Sequence, residues 1–405
     1  MNFCETSSIN VVLHQEKQFL PLGGKKFGIY NFMQFKAITG QQSIKERLIQ
    51  AIEEHRVSHA QLFVGPEGNG KLALALAFAQ YINCRQPQEG DSCGVCPSCR
   101  KYEKLIHPDL HFVFPVVKKG AKRAVSDDFI RNWRELLLQT PYINIQQWFS
   151  LLDVENAQGM IYSEESEEII RKLNLKSFEA EYKVMIVWLP ERMNVSCSNK
   201  LLKMIEEPPP KTLFLLVSED EEQIISTIRS RAQKVRIPRI SKEDLREYVG
   251  TLPETSGRDV DILVHLSGGN RIALKNLLEQ DDHLAWNLER FRELMRFSYG
   301  RKYLELMEWV DEVARSGRER QKSFLEYALR LVRENFISNL KKEDLIFMNS
   351  EERTFSNRFS PFINERNIIP LSNEFELASR DIRMNGNAKV ILTDLTLKVV
   401  KMIRA

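Results

Sequence analysis

From Ala60 onward the chain alternates short apolar runs with stretches of helical period, the pattern of βα units around a parallel sheet. Gln61-Leu62-Phe63-Val64 predicts a strand ending at Gly65. Leu72 to Tyr81, rich in alanine and leucine and free of breakers, predicts a helix. Four later runs predict further buried strands: Phe149–Leu152, Lys183–Val187, Leu213–Val217 and Lys234–Ile237. Asn199 to Glu207 reads as a helix that Pro208-Pro209-Pro210 stops, since proline lacks an N–H and disfavours helix in the residue before it.

After Pro238 the strand signals vanish. Ser241-Lys242-Glu243-Asp244 has capping-box spacing, and helices over Val260–Leu266 and Arg271–Glu279 complete a three-helix unit. Beyond about residue 284 the pattern stays helical. Tyr303, Leu306, Met307, Val310, Val313 and Ala314 recur at helical spacing before Gly317, a residue suited to the C′ position. Ala388, Ile391, Leu392, Leu395, Val399 and Ile403 keep the same period, so the last segment predicts helix despite its β-branched content. The basic cluster Lys118–Arg123 reads as a solvated loop.

Composition narrows the class. A chain of 405 residues accommodates two to four domains at ~100–200 residues each. Hydrophobic residues at 43% and charged residues at 28% exclude a wholly disordered or collagen-like chain. No run approaches the ~18 consecutive apolar residues of a membrane span. Lysine and arginine (58) nearly balance aspartate and glutamate (55), and a net charge of +3 argues against coating nucleic acid by bulk charge. Residues 1–32 mix acids and bases without an apolar core, which reads as a loose extension rather than a signal peptide and points to the cytoplasm.

Gly65-Pro66-Glu67-Gly68-Asn69-Gly70-Lys71 fits G-x4-G-K, seven positions of a P-loop, between a predicted strand and helix. Glycines let backbone N–H groups curl around phosphate oxygens at a helix N-terminus, and the lysine supplies a charge to the outer phosphates. The eighth position, where a hydroxyl ligates Mg²⁺, is Leu72. The strand Lys183–Val187 runs into Trp188 and Leu189, where an acidic pair would hold the metal, and Glu191 falls three residues beyond that slot. Without these oxygens the γ-phosphate charge is not neutralised, which is most of what catalyses phosphoryl transfer. Two departures agree on a nucleotide-motor fold whose motor is dead.

Cys84, Cys93, Cys96 and Cys99 offer four thiolates, enough for a closed tetrahedral Zn²⁺ site that would fold a local knob. An iron–sulfur cluster, or four unrelated thiols, are the other readings of that spacing. Asp91, Gly94 and Pro97 suit the tight reversals between ligands.

Phe35-Lys36-Ala37-Ile38-Thr39-Gly40-Gln41, then Ser58-His59-Ala60-Gln61-Leu62-Phe63 leading into the glycine loop, resemble the opening of bacterial clamp-loader subunits. The four cysteines belong to the same pattern, as do Asn199–Pro209 and Thr227-Ile228-Arg229-Ser230-Arg231-Ala232. The resemblance runs from about residue 33 to 283 and more faintly onward. It implies an AAA+ P-loop domain over 33–238 with a zinc module at 84–99, a helical lid over 239–283 and an all-α collar over 284–405. It implies structural zinc and a part in opening a sliding clamp and placing it on primed DNA. Partners would be the delta subunit, gamma/tau-like ATPases, the clamp and, through the complex, primer–template DNA. The chain would not be an enzyme alone but a subunit of a DNA-directed DNA polymerase holoenzyme.

Lacking metal ligands, it resembles the family's non-hydrolysing subunits, with ATP bound weakly at Gly65, Gly70 and Lys71 or not at all. The family's Ser-Arg-Cys position is Ser230-Arg231-Ala232 here, which implies that Arg231 reaches the ATP of a neighbouring subunit as an arginine finger; a surface salt bridge is the plainer reading. Arg271 matches the phosphate-sensing arginine of the lid helix, free either to bind phosphate or to serve packing. Ser218 matches a polar sensor position or has a structural role. Two other functions remain open from sequence: an active loader ATPase with an unorthodox metal site, and a zinc-containing DNA-binding protein.

Overall fold

The structure, a computed structural model, describes residues 33–118, 123–154, 159–255, 259–279, 281–340 and 345–404. The extension 1–32 and the middle of the Lys118–Arg123 cluster lie outside the described residues. Five strands, β1 (Ala60–Val64), β2 (Leu110–Val113), β3 (Lys183–Trp188), β4 (Thr212–Ser218) and β5 (Gln233–Arg236), form one sheet in the order β2-β3-β4-β1-β5. Every pairing is parallel. β3 and β4 are buried along their whole length, as continuous apolar runs demand when helices cover both faces. β5 closes the edge with Lys234 and Arg236 outward, both paired with Glu221. Such charges discourage a further strand from adding there.

The helix after β1 spans Lys71–Ile82 and is buried on all sides. The proline-stopped helix spans Val195–Glu206, starting earlier than its periodicity suggests because the Asn194 side chain accepts the Cys197 N–H at 2.8 Å. One expected strand is a helix: Phe149–Leu152 falls in Ile145–Leu151 and the residue beyond it. Asn144 and Gln147 cap each other there, side chain to backbone N–H in both directions, a box that overrides the apolar run Trp148-Phe149. The sequence reading also misses β2, whose four residues, apolar but for His111, make too short a pattern to stand out.

Residues 112–148 supply an aromatic core. Trp133 stacks on Phe114 with ring centroids 4.3 Å apart and meets Trp148 at 5.3 Å and Trp188 at 5.1 Å, all fully buried. Ser126 ties this segment to the helix Ser163–Asn174: its N–H and hydroxyl donate to Glu165 at 2.6 and 3.0 Å. Burial pushes the Glu165 carboxyl up to about 7. Between about pH 4.5 and about 7 the folded chain therefore holds a proton that the unfolded chain has lost, so stability falls as pH rises through that window. Glu165→Gln is expected to flatten this slope in urea melts across that range; an unaltered slope would assign it to other groups.

The three helices after the sheet span Lys242–Gly250, Val260–Ser267 and Arg271–Glu279. Ser241 caps the first by accepting the Asp244 N–H at 3.0 Å. Their apolar residues Leu245, Val249, Leu263, Val264, Ile272 and Leu274 join one continuous cluster with the sheet. A second cluster, from Leu288 to Ile403, holds the C-terminal helices, in which Arg318–Asn339 packs along Ile368–Arg383. The Tyr303–Arg315 helix ends before Gly317 (φ +88°), and the final periodic segment is a helix, Ala388–Met402.

Candidate functional site: a filled phosphate loop and a four-cysteine knot

Gly65 to Gly70 turn from β1 into the Lys71–Ile82 helix, with Gly68 (φ +71°) and Gly70 (φ +91°) in the left-handed region that only glycine enters at little cost. A Cβ on Gly68 would fall 1.7 Å from the Asn270 amide oxygen, and one on Gly70 would press on the Tyr142 ring at 3.2 Å. The loop is tied in place by Asn69, whose amide donates to the Ile237 carbonyl at 2.6 Å and accepts the Lys71 N–H at 3.2 Å.

The space above the loop is occupied by the chain itself. Pro141, Tyr142 and Ile143 cover Gly68–Leu72, and the cavity left between them is about 10 Å³, room for a single water at most. Lys71, almost wholly buried, donates to the Pro66 carbonyl at 3.0 Å and pairs with Glu219 at 3.2 Å. Burial and the nearby Glu219 charge raise the Glu67 carboxyl above its ordinary range. Glu191 turns to the end of β4, where it accepts the Glu219 N–H at 2.8 Å, and burial raises its carboxyl too. Of these carboxyl groups Glu219 pairs with the lysine directly, and Glu191 is tied to the Glu219 backbone.

The three positions that would hold magnesium are apolar and buried: Leu72, Trp188 and Leu189. Trp188 is turned into the aromatic core against Trp133, so a position where a metal ligand is expected has become a packing anchor. Trp188→Ala is expected to cost about 3–5 kcal/mol in denaturant unfolding followed by circular dichroism, without any gain of ATPase. A loss below about 1 kcal/mol would mean the aromatic core can close over the gap.

Arg271 leads the third helix of the small unit, and its N–H donates to the Gly68 carbonyl at 3.0 Å. Its guanidinium lies between two rings, 4.1 Å from the Tyr142 centroid and 3.8 Å from that of Tyr248, and donates to Thr39 Oγ1 at 3.1 Å and to the Tyr248 hydroxyl. Ser218 is buried in register with Val64, its carbonyl accepting the Gly65 N–H. Arg231, at the end of the short helix Ser226–Arg231, is half-exposed; it pairs with Glu206 at 2.7 Å and donates to the Thr227 carbonyl at 3.1 Å. Tyr142, Tyr248 and Glu219 escape a sequence reading, because none stands in a motif; Thr39 stands in the Phe35–Gln41 stretch, but its contact with Arg271 comes only through the fold.

The four cysteines converge. The sulfurs of Cys84, Cys93, Cys96 and Cys99 lie within 4.8 Å of one another, with Cys84–Cys93 at 3.6 Å and Cys93–Cys99 at 3.9 Å. Tetrahedral Zn–S bonds of about 2.3 Å require sulfurs about 3.8 Å apart, so the donor set fits zinc. Backbone N–H groups of Cys93, Cys96 and Cys99 point at the sulfurs of Cys84, Cys93 and Cys96, at 3.3, 3.3 and 3.5 Å. Such donors stabilise thiolates. Burial alone would raise Cys96, but the N–H bonds from Cys99 and Arg85 and its sulfur neighbours bring it down to about 7. With four ligands the site is closed, and its chemistry would be structural.

Residues 40–241 match the family model described as DNA polymerase III, delta subunit. Among curated relatives, DNA polymerase III subunit delta' of Pseudomonas aeruginosa is 26% identical over 221 residues, 54% of this chain and 56% of that protein. Subunit delta' of Bacillus subtilis is 25% identical over 245 residues, 58% and 61% respectively. Subunit gamma/tau of Mycobacterium tuberculosis H37Rv is 25% identical over 256 residues, 62% of this chain and 37% of that one. The chain thus spans less than two thirds of the length of these relatives. Among solved structures, a DNA polymerase III gamma subunit-related protein from Thermotoga maritima aligns over 89% of this chain and 99% of its own at 14% identity and a TM-score of 0.36. The strand order and the parallel pairing carry the fold assignment here.

Proposed function

We propose, from the premise that residues 40–241 belong to the DNA polymerase III delta-subunit family of clamp-loader proteins, that the chain is a delta-prime-like subunit that does not hydrolyse ATP. The observation that carries this reading is the apolar burial of Leu72, Trp188 and Leu189 around a lysine already neutralised by Glu219. Among the described residues, the three positions where magnesium ligands are expected, Leu72, Trp188 and Leu189, carry no side-chain oxygen, and phosphoryl transfer depends on that charge neutralisation.

In this reading the sheet unit and the three-helix lid sit at one end of a ring of related subunits, and the C-terminal helices join their counterparts in a collar. Arg231 completes the catalytic site of the adjoining ATPase subunit, supported by its exposure at the end of a short helix. Zinc at Cys84, Cys93, Cys96 and Cys99 folds the knob between the Lys71–Ile82 helix and β2. The delta subunit, gamma/tau-like ATPases, the sliding clamp and primer–template DNA are the proposed partners, and the cytoplasm the proposed compartment; no helix among the described residues is long and apolar enough to cross a membrane.

Co-purification with gamma/tau-like and delta subunits tests the assignment, together with single-turnover ATPase assays of the chain alone. Stable assembly without turnover is the expected result. Turnover by the isolated chain would favour an active ATPase, and tight, strongly salt-dependent DNA binding by the isolated chain would favour a zinc-containing DNA-binding protein.

A further inference from the structure

Toward the start of β1, away from the glycine loop that follows its end, lies a second cavity of about 320 Å³. Its floor is the parallel pair β1 and β5, where Gln61 and Gln233 stand in register, with Val235 beyond them. Its wall is the helix Gln42–Glu53, which contributes Arg47, Leu48 and Ala51. Gln61 is 2% exposed, and its Oε1 is shut off from solvent with no hydrogen-bond donor. Buried amides are nearly always paired, because an unpaired one gives up its hydration for nothing. Gln233 has no hydrogen-bond partner among the described residues, and neither has the exposed Arg47. The other polar groups of the wall are engaged with one another: Gln50 donates to Glu54 at 2.8 Å, and Arg56 pairs with Glu54.

Two carboxamides and one guanidinium thus remain unpaired over an aliphatic surface. Gln61 Oε1 requires a donor. A phosphate or a bare carboxylate offers acceptors alone, whereas a peptide group brings an N–H and a C=O, the complement of a carboxamide. Arg47 requires an anion, and a carboxylate meets a guanidinium through two parallel hydrogen bonds. None of the described residues lining the cavity is aromatic, so a nucleobase finds no ring to stack on. Leu48, Ala51 and Val235 suit an aliphatic side chain instead, and the volume, about ten times the share of one water in the liquid, admits the end of a peptide.

We propose that this cavity binds a carboxylate-bearing peptide. Arg47 holds the carboxylate, the Gln61 and Gln233 amides pair with the adjacent peptide group, and Leu48, Ala51 and Val235 receive an aliphatic side chain. The carboxylate comes from a chain end or from an aspartate or glutamate side chain. The site stands apart from the glycine loop and the cysteine knot, and it does not rest on the delta-prime reading.

The test titrates the full chain by calorimetry with four probes: acetyl-Ala-Leu with a free terminal carboxylate, the same peptide as its terminal amide, acetyl-Asp-Leu amide, and AMP. Saturable binding of a carboxylate-bearing peptide is expected, about tenfold or more tighter than the uncharged amide. Preference for acetyl-Ala-Leu supports the proposal with a chain end as the source, and equal or better binding of acetyl-Asp-Leu amide supports it with a side chain. Arg47→Ala is expected to erase the advantage of the carboxylate, and Gln61→Leu to weaken every peptide by about tenfold. Thermal melts check that both variants fold; Gln61→Leu, which removes a buried unpaired amide, should melt no lower than wild type. Should Gln61→Leu not fold, Arg47→Ala decides alone, since an exposed side chain without partners carries little stability. Absence of saturable peptide binding overturns the proposal, as does binding that Arg47→Ala leaves unchanged. AMP binding more tightly than any peptide overturns it in favour of a nucleotide site.

Discussion

In a reconstituted loader, Arg231→Ala is expected to lower ATP turnover at the adjoining subunit's site about 10³-fold or more, the range an arginine finger supplies. Assembly should be unchanged. The guanidinium is half-exposed and its pairing with Glu206 at 2.7 Å is a surface ion pair, worth ~0–1 kcal/mol, so exchanging Glu206 for a phosphate across an interface costs little. Arg231→Lys should recover only part of the loss, because an ammonium lacks the planar fork of donors that meets two phosphate oxygens at once. Single-turnover phosphate release, resolved by site with ATPase-dead neighbours, measures the effect, and gel filtration checks the complex. Turnover equal to wild type would leave Arg231 as the surface salt bridge that its contact with Glu206 already describes.

The second large effect concerns the cysteine knot. Purified chain is expected to carry one zinc, and Cys93→Ser or exhaustive chelation to unfold the 84–104 segment, since structural zinc contributes about 10–16 kcal/mol of apparent binding free energy to the fold it closes. The damage should spread inward. Tyr102, fully buried and accepting the Asn83 amide at 2.7 Å, and Leu105 both belong to the main hydrophobic cluster. Melting by circular dichroism with and without chelator, alongside metal analysis, gives the result. Zinc affinity should fall with falling pH, because each thiolate that binds metal must first lose its proton. Metal-free protein that melts with metal-loaded protein would show four thiols that merely lie close together.

Much of the fold is legible in the sequence. The runs at 61–64, 183–187, 213–217 and 234–237 stand out in the sequence as strands, and the structure has strands at 60–64, 183–188, 212–218 and 233–236. Ser241 and Gly317 marked a helix start and a helix end by chemistry that acts within a few residues. The two failures differ in cause, one local and one tertiary. Phe149 sat in an apolar run that Asn144 and Gln147 had already committed to helix, a local signal outweighed by a louder one. Leu110–Val113 is a strand because β3 lies beside it, in register from Leu110–Val184 to Val113–Val187, and its four residues alone are too few to announce it.

The candidate site divides the same way. Glycine spacing, the lysine, the apolar residues at 72, 188 and 189 and the four cysteines are properties of short stretches, and backbone sterics, missing oxygens and thiolate spacing can be read from residue identities alone. The sequence by itself therefore determined a phosphate-loop fold, apolar side chains at positions 72, 188 and 189, and four cysteines that can form a four-sulfur knot. Only the tertiary structure decided what fills the loop, which partner neutralises Lys71, and that Arg271 is engaged between Tyr142 and Tyr248. Two of those contacts, Lys71–Glu219 and Tyr142–Arg271, join residues more than a hundred positions apart, held by burial and packing of the sheet against the three-helix unit, and such long-range energy leaves no local pattern in a chain.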